Sequence, residues 1–386
     1  MIMEIKKRYQ FNVNFFRLGG KIYCRLAYHF KCKKNILKKD EPYLILCNHT
    51  SNADPALVQL AFNRSIHFIA HYELVQSKIG RFLDYSFGII QTKKGKTDLH
   101  AVRESLKVIK QNGVVGLFPS GDCTFNGIES EIDNSIVKYV RMLGANVVLY
   151  RTYGLYGVDP RFGAKRRKGK ATGDIVKIIN KEEINNLTDD ELYEMIKDAI
   201  SVNHYELLKD ELYRSNKKAE YLERILFMCP DCGKISTMES KGNDIVCKEC
   251  GYLATYKEDL HLALKQGTKE YQTILDWVNY EKEALKTISK EGIIFSDKIK
   301  KVKIEYINEP KKEKKYKGGY IELLNNHLII KYEDKEVSCD LLKDVMIYHG
   351  KKRLVIYHDD LVYNLVGYPR FAGIKYIYYQ ETIKKD

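Results

Sequence analysis

A histidine and an aspartate stand five positions apart in the segment Cys47–Pro55, which reads Cys-Asn-His-Thr-Ser-Asn-Ala-Asp-Pro. Asp54 can accept a hydrogen bond from one imidazole nitrogen of His49 and leave the other nitrogen available as a base. This pair is the base-and-orienter half of a catalytic triad, and a substrate that brings its own hydroxyl needs no protein nucleophile. The alternative interpretation is structural: Asp54 caps a helix that begins at Pro55, and His49 is an ordinary loop histidine.

Two further loops in the same half of the chain carry groups that suit acyl and phosphate chemistry. One follows the apolar run at 114–117 and contains, in order, Phe118, Pro119, Ser120 and Gly121. The other follows an extended run at 88–91 and contains Lys93, Lys94 and Lys96. Because ligands of α/β sheets gather outside the carboxyl ends of the strands, we expect both loops to lie near His49. The combination predicts a hydroxyl-activating base beside a phosphate clamp.

Four cysteines form two pairs with the spacing of a zinc site. Cys229 pairs with Cys232, Cys247 pairs with Cys250, and fourteen residues separate the two pairs. Such spacing is typical of a zinc ribbon, in which four thiolates leave no open coordination position, so we expect a structural zinc ion. The other five cysteines have no ligand spacing, and we expect them to be packing thiols: Cys24, Cys32, Cys47, Cys123 and Cys339.

The composition limits the classes of protein to which the chain can belong. The length of 386 residues predicts two or three folded units, and the apolar fraction of 44% is enough for their cores. The formal net charge is +14. The basic excess predicts a partner that bears phosphate: nucleic acid, an anionic membrane or a phosphorylated small molecule. No apolar run is long enough for a transmembrane helix, and the first residues lack the apolar stretch of a signal peptide. We therefore expect a protein of a reducing compartment.

Residues 1–35 are expected to form basic amphipathic helices. Apolar residues recur at steps of three and four, for example at Tyr9 and Val13, whereas the lysines and arginines lie largely off that stripe. The adjacent Gly19 and Gly20 predict a break between two helices. Such a segment either lies in a membrane interface or packs its apolar stripe on the following domain, and one helix can do both.

The segment 36–215 alternates between strand-like and helix-like patterns. This alternation predicts an α/β fold with a mixed sheet that is covered by helices on both faces. Thr188 and Glu191 form a capping box that opens a long helix. Downstream of this domain we expect a zinc ribbon at 222–257, a helical connector at 258–310, a basic linker at 311–319 and a small β-rich domain with a closing helix at 318–386.

Taken in order, the motifs resemble those of the glycerophospholipid acyltransferases, especially the 1-acylglycerol-3-phosphate (lysophosphatidate) type. The blocks are Asn-His-x4-Asp-Pro, then Gly-x-Ile followed by a basic residue, then Phe-Pro-x-Gly, and a fourth extended block that ends at Arg151. The resemblance covers roughly residues 20–215. It implies a glycerol-3-phosphate acyltransferase-like fold, to which the zinc ribbon is appended.

The resemblance also implies a reaction and roles for individual residues. The chain would be an O-acyltransferase of phospholipid biosynthesis, with His49 as the general base on the acceptor hydroxyl and Asp54 as its orienter. The acyl donor would be acyl carrier protein, coenzyme A carrying an acyl group, or an acyl phosphate, and the acceptor a lysophospholipid such as 1-acylglycerol-3-phosphate. The implied substrate-binding residues are Lys93, Lys94, Phe118, Pro119, Ser120, Gly121 and Arg151.

The third block departs from the family pattern Phe-Pro-Glu-Gly-Thr-Arg. Ser120 stands in place of the Glu, and no Arg follows nearby, so a non-catalytic lipid-binding or scaffold protein on the same fold stays open as an alternative. A zinc-ribbon nucleic-acid binder is disfavoured, because the segment 227–256 has a slight excess of acidic residues. We expect instead a protein bound from the cytoplasm to the inner face of the cell membrane, whose anionic lipids contact residues 1–35 and the basic run at 161–170.

Overall fold

The computed structural model describes residues 5–71, 74–75, 78–92, 99–288, 293–307, 309–349 and 352–384. The chain divides into two compact units. The first comprises Met1–Pro160 and Arg166–Tyr213, and the second comprises Arg161–Lys165 and Arg214–Asp386.

The first unit is built from alternating helices and strands. Its helices are α1 (Lys7–Tyr28), α2 (Asp54–Ala61), α3 (Lys78–Phe87), α4 (Leu99–Lys110), α5 (Ser135–Leu143), α6 (Leu155–Val158), α7 (Lys181–Asn186), α8 (Asp189–Ile200) and α9 (His204–Leu207). Its strands are β1 (Phe30–Cys32), β2 (Tyr43–Cys47), β3 (Ile66–His71), β4 (Ile90–Thr92), β5 (Val114–Leu117), β6 (Asn146–Tyr153) and β7 (Ala171–Ile179).

These strands form one sheet in the order β1-β7-β6-β2-β5-β3-β4. Every neighbouring pair is parallel except β6 and β7, which are antiparallel. The central strand β2 is buried along its whole length, and its side chains alternate between two cores. Leu44 and Leu46 join the core that includes α4, α5 and α8, whereas Ile45 joins the core that includes α2. The predicted mixed sheet with helices on both faces is therefore confirmed.

The topology brings two of the predicted loops together. Strands β2 and β5 are parallel neighbours, and Leu46 near the end of β2 lies opposite Leu117 at the end of β5. The loops that follow them carry His49 and Phe118, and both loops leave the sheet at the carboxyl ends of its strands. This is the edge at which ligands of α/β sheets bind.

Helix α1 differs from the predicted pair of helices, because it runs without a break through both glycines. Gly20 is buried, and a Cβ at this position would come within 3.0 Å of the Phe16 ring. A glycine inside a helix costs about 1 kcal/mol in intrinsic propensity. Packing against α2, α3 and β1 offsets this cost, so tertiary contacts override the local signal.

The second unit is rich in antiparallel strands. Its first sheet contains β8 (Met238–Lys241), β9 (Asp244–Cys247), β10 (Leu253–Tyr256) and β11 (Leu262–Gln266). Its second sheet contains β12 (Ile293–Tyr306), β13 (Glu309–Leu324), β14 (His327–Tyr332), β15 (Lys335–Asp340), β16 (Val345–His349), β17 (Arg353–His358) and β18 (Leu361–Gly367). Its helices are a short 3-10 turn (Leu222–Arg224), α10 (Ile274–Ile288) and α11 (Ile374–Ile383).

The predicted helical connector at 258–310 is confirmed at α10 and wrong from Ile293 onward, and the predicted basic linker at 311–319 is a strand. Among the described residues of 258–310, α10 is the only helix. Strand β12 pairs with β13 as a long antiparallel hairpin that continues through the lysine-rich stretch. In β12 the buried Val302 and Ile304 alternate with lysines, which is the pattern of a strand with one solvated face. The many lysines made this alternation resemble a charged linker.

Candidate active site and metal centre

His49 and Asp54 form the pair that their spacing predicts. Their Nδ1 and Oδ2 atoms lie 2.9 Å apart, and Asp54 is fully buried. The same carboxylate oxygen accepts the backbone N–H groups of Thr50 at 2.7 Å and Ser51 at 3.0 Å. Because the carboxylate holds Nδ1, Asp54 fixes the orientation of the ring and leaves Nε2 outside this hydrogen bond.

The structural interpretation of Asp54 as a helix cap is not realised. Helix α2 begins at Asp54 itself, its N-cap position is Ala53, and no side chain caps it. The hydrogen bonds of Asp54 run back to the loop that carries His49 instead. The side chain of His49 is 15% exposed, so a substrate can reach it.

Two residues far away in the sequence hold the His49 loop in place. The backbone N–H of His49 donates to Glu129 Oε2 at 3.1 Å, and Glu129 is buried. The side chain of the preceding Asn48 bonds to the backbone of Thr152 on β6, accepting its N–H at 2.8 Å and donating to its carbonyl at 3.0 Å. The role of Glu129 was missed because no local pattern marks a contact across 80 positions.

Phe118, which was predicted to bind substrate, packs on His49. Its ring stacks on the ring of His49 with centroids 4.3 Å apart and an angle of 22° between the planes. On strand β3, Phe68 stacks in turn on Phe118 at 5.6 Å. The stack restricts the His49 imidazole to one plane, whereas substrate binding by Phe118 stays a prediction.

The residues after Phe118 form a tight turn. Gly121 donates its N–H to the Phe118 carbonyl at 3.0 Å, and Asp122 donates to the Ser120 carbonyl at 2.9 Å, while Pro119 is half-buried. Gly121 has a φ of +73°, which favours glycine. A Cβ on Gly121 would meet no atom within 4 Å, so the turn borders open space. Substrate binding by this turn stays a prediction.

Cys123 does more than pack. Its sulfur lies 3.4 Å from His49 Nε2 and 3.5 Å from His49 Nδ1. The next residue ties the two segments together, since the Thr124 N–H donates to the His49 carbonyl at 3.0 Å. The expectation of a plain packing thiol is thus corrected. Spacing alone does not reveal the contact, because 74 positions separate the two residues and the pairing of β2 with β5 brings them together.

Burial lowers the pKa of His49, but stronger effects oppose it. The charge on the Cys123 sulfur, the hydrogen bonds to Asp54 and Cys123, and the Asp54 charge together raise the pKa of His49 to about 10. The imidazole is therefore protonated at neutral pH while it lies between these two groups.

We expect the His49 imidazole to keep its proton through neutral pH and to lose it near pH 10. In the variant Cys123→Ala the proton should leave at a lower pH, because the sulfur charge and its hydrogen bond are absent. NMR titration of isotope-labelled histidines measures both values, and His49→Gln assigns the resonance. Titration of His49 at the same pH in both proteins would contradict this prediction.

The remaining predicted substrate-binding residues are Lys93, Lys94 and Arg151. Lys93 and Lys94 lie outside the described residues. Arg151 is half-buried, and its guanidinium donates to the carbonyls of Asp198 at 2.5 Å and Ala199 at 2.6 Å near the end of α8. Substrate binding by all three stays a prediction. For Arg151, the guanidinium would have to bind substrate while it also donates to the carbonyls at the end of α8.

In the second unit, the four predicted zinc ligands converge. The sulfur atoms of Cys229, Cys232, Cys247 and Cys250 all lie within 4.8 Å of one another. Cys229 and Cys250 are 3.5 Å apart, and Cys232 and Cys247 are 3.8 Å apart. A tetrahedral zinc ion with bonds of about 2.3 Å needs sulfur separations of about 3.8 Å. The cluster therefore fits a tetrahedral metal ion.

The backbone around the cluster suits thiolate ligands. Gly233 and Gly251 have φ values of +69° and +78°, and each donates its N–H to the first cysteine carbonyl of its own turn at 3.0 Å. These turns aim backbone N–H groups of 231 and 232 at the Cys229 sulfur and of 249 and 250 at the Cys247 sulfur. Such donors stabilise the charge that metal-bound sulfur carries.

A second group of possible metal ligands in this unit lacks any spacing signal. Ligand atoms of Cys339, Asp344 and His358 lie within 4.8 Å of one another. His358 Nδ1 and Asp344 Oδ2 form a hydrogen bond of 2.8 Å, which accounts for the approach of these two residues without a metal.

Two comparisons with known proteins found similar proteins. The family model described as acyltransferase matches residues 29–150, which include His49, Asp54, Phe118 and Cys123. Among solved structures, the chain is similar to the crystal structure of the 1-acyl-sn-glycerophosphate (LPA) acyltransferase PlsC from Thermotoga maritima. The sequence identity is 16%, the TM-score is 0.42, and the match covers 52% of this chain and 81% of that chain. No curated protein sequence matches the chain significantly. The segment 29–150 is therefore similar to the acyltransferase family.

Proposed function

We propose that the protein transfers a fatty acyl group from an activated donor to the hydroxyl of a lysophospholipid such as 1-acylglycerol-3-phosphate. The donor is an acyl thioester of coenzyme A or acyl carrier protein, or an acyl phosphate. The observation that carries the proposal is the bond between His49 and the fully buried Asp54, placed after the central strand of an acyltransferase-family domain.

The chemistry requires a base that is oriented toward the acceptor. Asp54 holds Nδ1, and Phe118 fixes the plane of the ring, so Nε2 is the nitrogen that exchanges protons with the reacting groups. A base positioned in this way contributes typically about 10²–10⁴-fold to the rate. The test measures release of the donor thiol from palmitoyl-coenzyme A with and without lysophosphatidate. Release that does not depend on a lysophospholipid would count against the proposal.

The cysteine cluster of the second unit would hold a structural zinc ion through Cys229, Cys232, Cys247 and Cys250. Four thiolates fill a tetrahedral site and leave no position for a substrate. The ion would therefore stabilise the fold around β8–β11 and take no part in acyl transfer.

The surface of the first unit carries apolar side chains that suit a lipid interface. The predicted stripe of α1 is buried at Tyr9 and Val13, so it packs on the domain. A different stripe of α1 is exposed, with Phe11, Phe15 and Leu18 each at 70–78% and Ile22 and Leu26 continuing it. These residues follow one another at steps of three and four, which places them on one face of the helix.

Helix α3 adds to this surface. It packs against α1, where Asn12 Nδ2 donates to the Ser86 carbonyl at 2.9 Å. Its own exposed apolar residues are Ile79, Phe82 and Tyr85. Among the described residues, no helix is both long and apolar enough to cross a bilayer. We infer that these two helices insert their exposed side chains partway into one face of a membrane, where lysophospholipids reside.

The basic run at 161–170 contributes less charge than its sequence predicts. Arg161 and Arg167 are buried, and Arg166 is exposed but donates to the Tyr28 hydroxyl at 2.6 Å. Lys170 pairs with Glu211 at 2.7 Å. Contact of this run with anionic lipid therefore depends chiefly on Lys165 and Lys168, and it stays a prediction.

Replacing Phe11, Phe15 and Leu18 together with serine is expected to weaken binding to anionic lipid vesicles by about 100-fold. Each side chain is worth roughly 1 kcal/mol when it is partly removed from water, and about 1.4 kcal/mol corresponds to a tenfold change. Vesicle co-sedimentation measures the effect. Helix α1 should survive, because its buried face is untouched.

The control replaces three other exposed apolar residues of the same unit, Met142, Val176 and Ile178, which are 43–50% exposed, with serine. This triple variant should bind vesicles as the wild type does. Equal weakening by both triple variants, or none by either, would rule out α1 as the membrane-contacting element.

A further inference from the structure

Cys123 completes a constellation that acyl transfer to an external hydroxyl does not require. Its sulfur lies 3.4 Å from His49 Nε2, and His49 Nδ1 is bonded to Asp54 at 2.9 Å. A sulfur next to an imidazole that a buried carboxylate orients is the arrangement of nucleophile, base and orienter. The sulfur lies almost equally far from both ring nitrogens, and such bonds commonly tighten only when substrate binds.

The surrounding structure holds this constellation in place. Phe118 stacks on the His49 ring, and Thr124 donates its N–H to the His49 carbonyl, so the segment with Cys123 is fastened to the loop with His49. Gly121, two positions before Cys123, borders open space, whereas Cys123 itself is 5% exposed. The thiol is thus buried beside a turn that faces open space.

The protonation of His49 affects whether acylation of Cys123 or deprotonation of the acceptor hydroxyl comes first. The raised pKa of His49 describes an imidazolium, and the Cys123 sulfur is one of the causes that raise this pKa. An imidazolium cannot accept the proton of an acceptor hydroxyl. Converting the sulfur to a neutral thioester removes two of the effects that raise the pKa of His49, so acylation of Cys123 would prepare His49 to act as a base.

We propose that Cys123 is the nucleophile that carries the acyl group from donor to acceptor, a proposal that rests on the acyl-transfer function proposed above. In the first step His49 holds the proton of Cys123, and the thiolate attacks the carbonyl carbon of the donor. A carbon–sulfur bond to Cys123 forms, and the bond from the carbonyl carbon to the donor sulfur or phosphate oxygen breaks. The departing thiolate or phosphate takes the proton from His49.

In the second step the neutral His49 takes the proton of the lysophospholipid hydroxyl. The hydroxyl oxygen attacks the thioester carbonyl, an ester forms, and the carbon–sulfur bond to Cys123 breaks. The thiolate of Cys123 and the imidazolium of His49 are restored. Protons and electrons balance over the two steps without an oxidant, a reductant or a further reactant.

The experiment mixes the full chain with palmitoyl-coenzyme A in the absence of acceptor and quenches the reaction with acid within one turnover. Intact mass spectrometry should show one added palmitoyl group, and peptide mapping should place it on Cys123. Neutral hydroxylamine should remove it, as it removes thioesters. Adding lysophosphatidate should discharge it at the turnover rate.

Variants separate this inference from the proposed function. Cys123→Ala should lose the adduct and lower kcat/KM by about 10³-fold or more, and Cys123→Ser preserves the side-chain shape as a second test. The control Cys32→Ala removes a half-buried thiol of β1 and should behave as the wild type. Transfer by Cys123→Ala at the wild-type rate, with loss of transfer in His49→Ala, would overturn the inference and leave the proposed function intact.

Two other outcomes are informative. A palmitoyl adduct on Cys123 that lysophosphatidate does not discharge would overturn the inference, because the adduct would be a side product. Absence of both adduct and transfer in the wild type with thioester and acyl phosphate donors would overturn the inference together with the proposed function.

Discussion

Replacing His49 with alanine is expected to lower kcat/KM for acyl transfer by about 10²–10⁴-fold, the usual contribution of a positioned base. The imidazole is the group that we propose takes the proton of the acceptor hydroxyl, so its removal leaves that proton without a positioned acceptor. The fold should persist, because the Asp54 carboxylate keeps its bonds to the N–H groups of Thr50 and Ser51. Steady-state kinetics with lysophosphatidate measure the loss, and a thermal melt checks the fold.

The control for this variant is His100→Ala, which removes an exposed histidine on α4 in the same unit. It should leave the kinetics unchanged. Asp54→Asn should also slow transfer, because the amide no longer supports a charged ring. If His49→Ala is folded and transfers acyl groups as fast as His100→Ala, the assignment of the base is wrong.

Loss of zinc is the second large effect we expect. Cys232→Ser should yield protein without stoichiometric zinc, and the segment around β8–β11 should unfold. Structural zinc contributes about 10–16 kcal/mol of apparent binding free energy in zinc-finger peptides. That contribution is comparable with the whole stability of a typical domain, about 5–15 kcal/mol. Elemental analysis reports the zinc, and limited proteolysis within 229–256 reports the unfolding.

The control for the zinc prediction is Cys32→Ser, which removes a thiol of the first unit. It should retain one zinc ion per chain and the proteolytic pattern of the wild type. Purified wild-type protein without zinc, but with the same protection of 229–256 as its chelated form, would show that the four cysteines hold no stabilising metal.

Sites built from neighbouring residues could be predicted from the sequence. His49 and Asp54 meet because one loop and the first turn of one helix place them together, so their spacing carries the geometry. The cysteine pairs likewise lie within two tight turns that glycines close at 233 and 251. In both cases the interacting groups lie close together in the sequence, and their residue types indicate which chemistry the site can support.

Contacts across the sheet could not be predicted in this way. Cys123 and Glu129 reach His49 only because β5 pairs with β2 in one register. A pattern of apolar runs predicts that strands exist but not which strands are neighbours. The sequence therefore predicted the contact between His49 and Asp54 and missed the thiol of Cys123 beside them.

The N-terminal helix α1 shows a second feature that hydrophobic periodicity does not predict, namely which of its faces is buried. Helix α1 has apolar residues on more than one face, and periodicity alone does not decide which face is buried. The stripe with Tyr9 and Val13 packs inward, and the stripe with Phe11 and Phe15 faces solvent. The predicted packing of α1 on the domain is confirmed, whereas its contact with a membrane interface stays a prediction that now falls to different residues.

The most direct test of the central proposal is the mass of the lipid product. The zinc-loaded full chain is mixed with lysophosphatidate, in parallel with other lysophospholipids, and with palmitoyl-coenzyme A, palmitoyl-acyl carrier protein or palmitoyl phosphate. We predict that lipid mass spectrometry will detect phosphatidate with one added palmitoyl chain in the wild type and almost none in His49→Ala. Folded wild-type protein that acylates no lysophospholipid from any of the three donors would contradict the proposal.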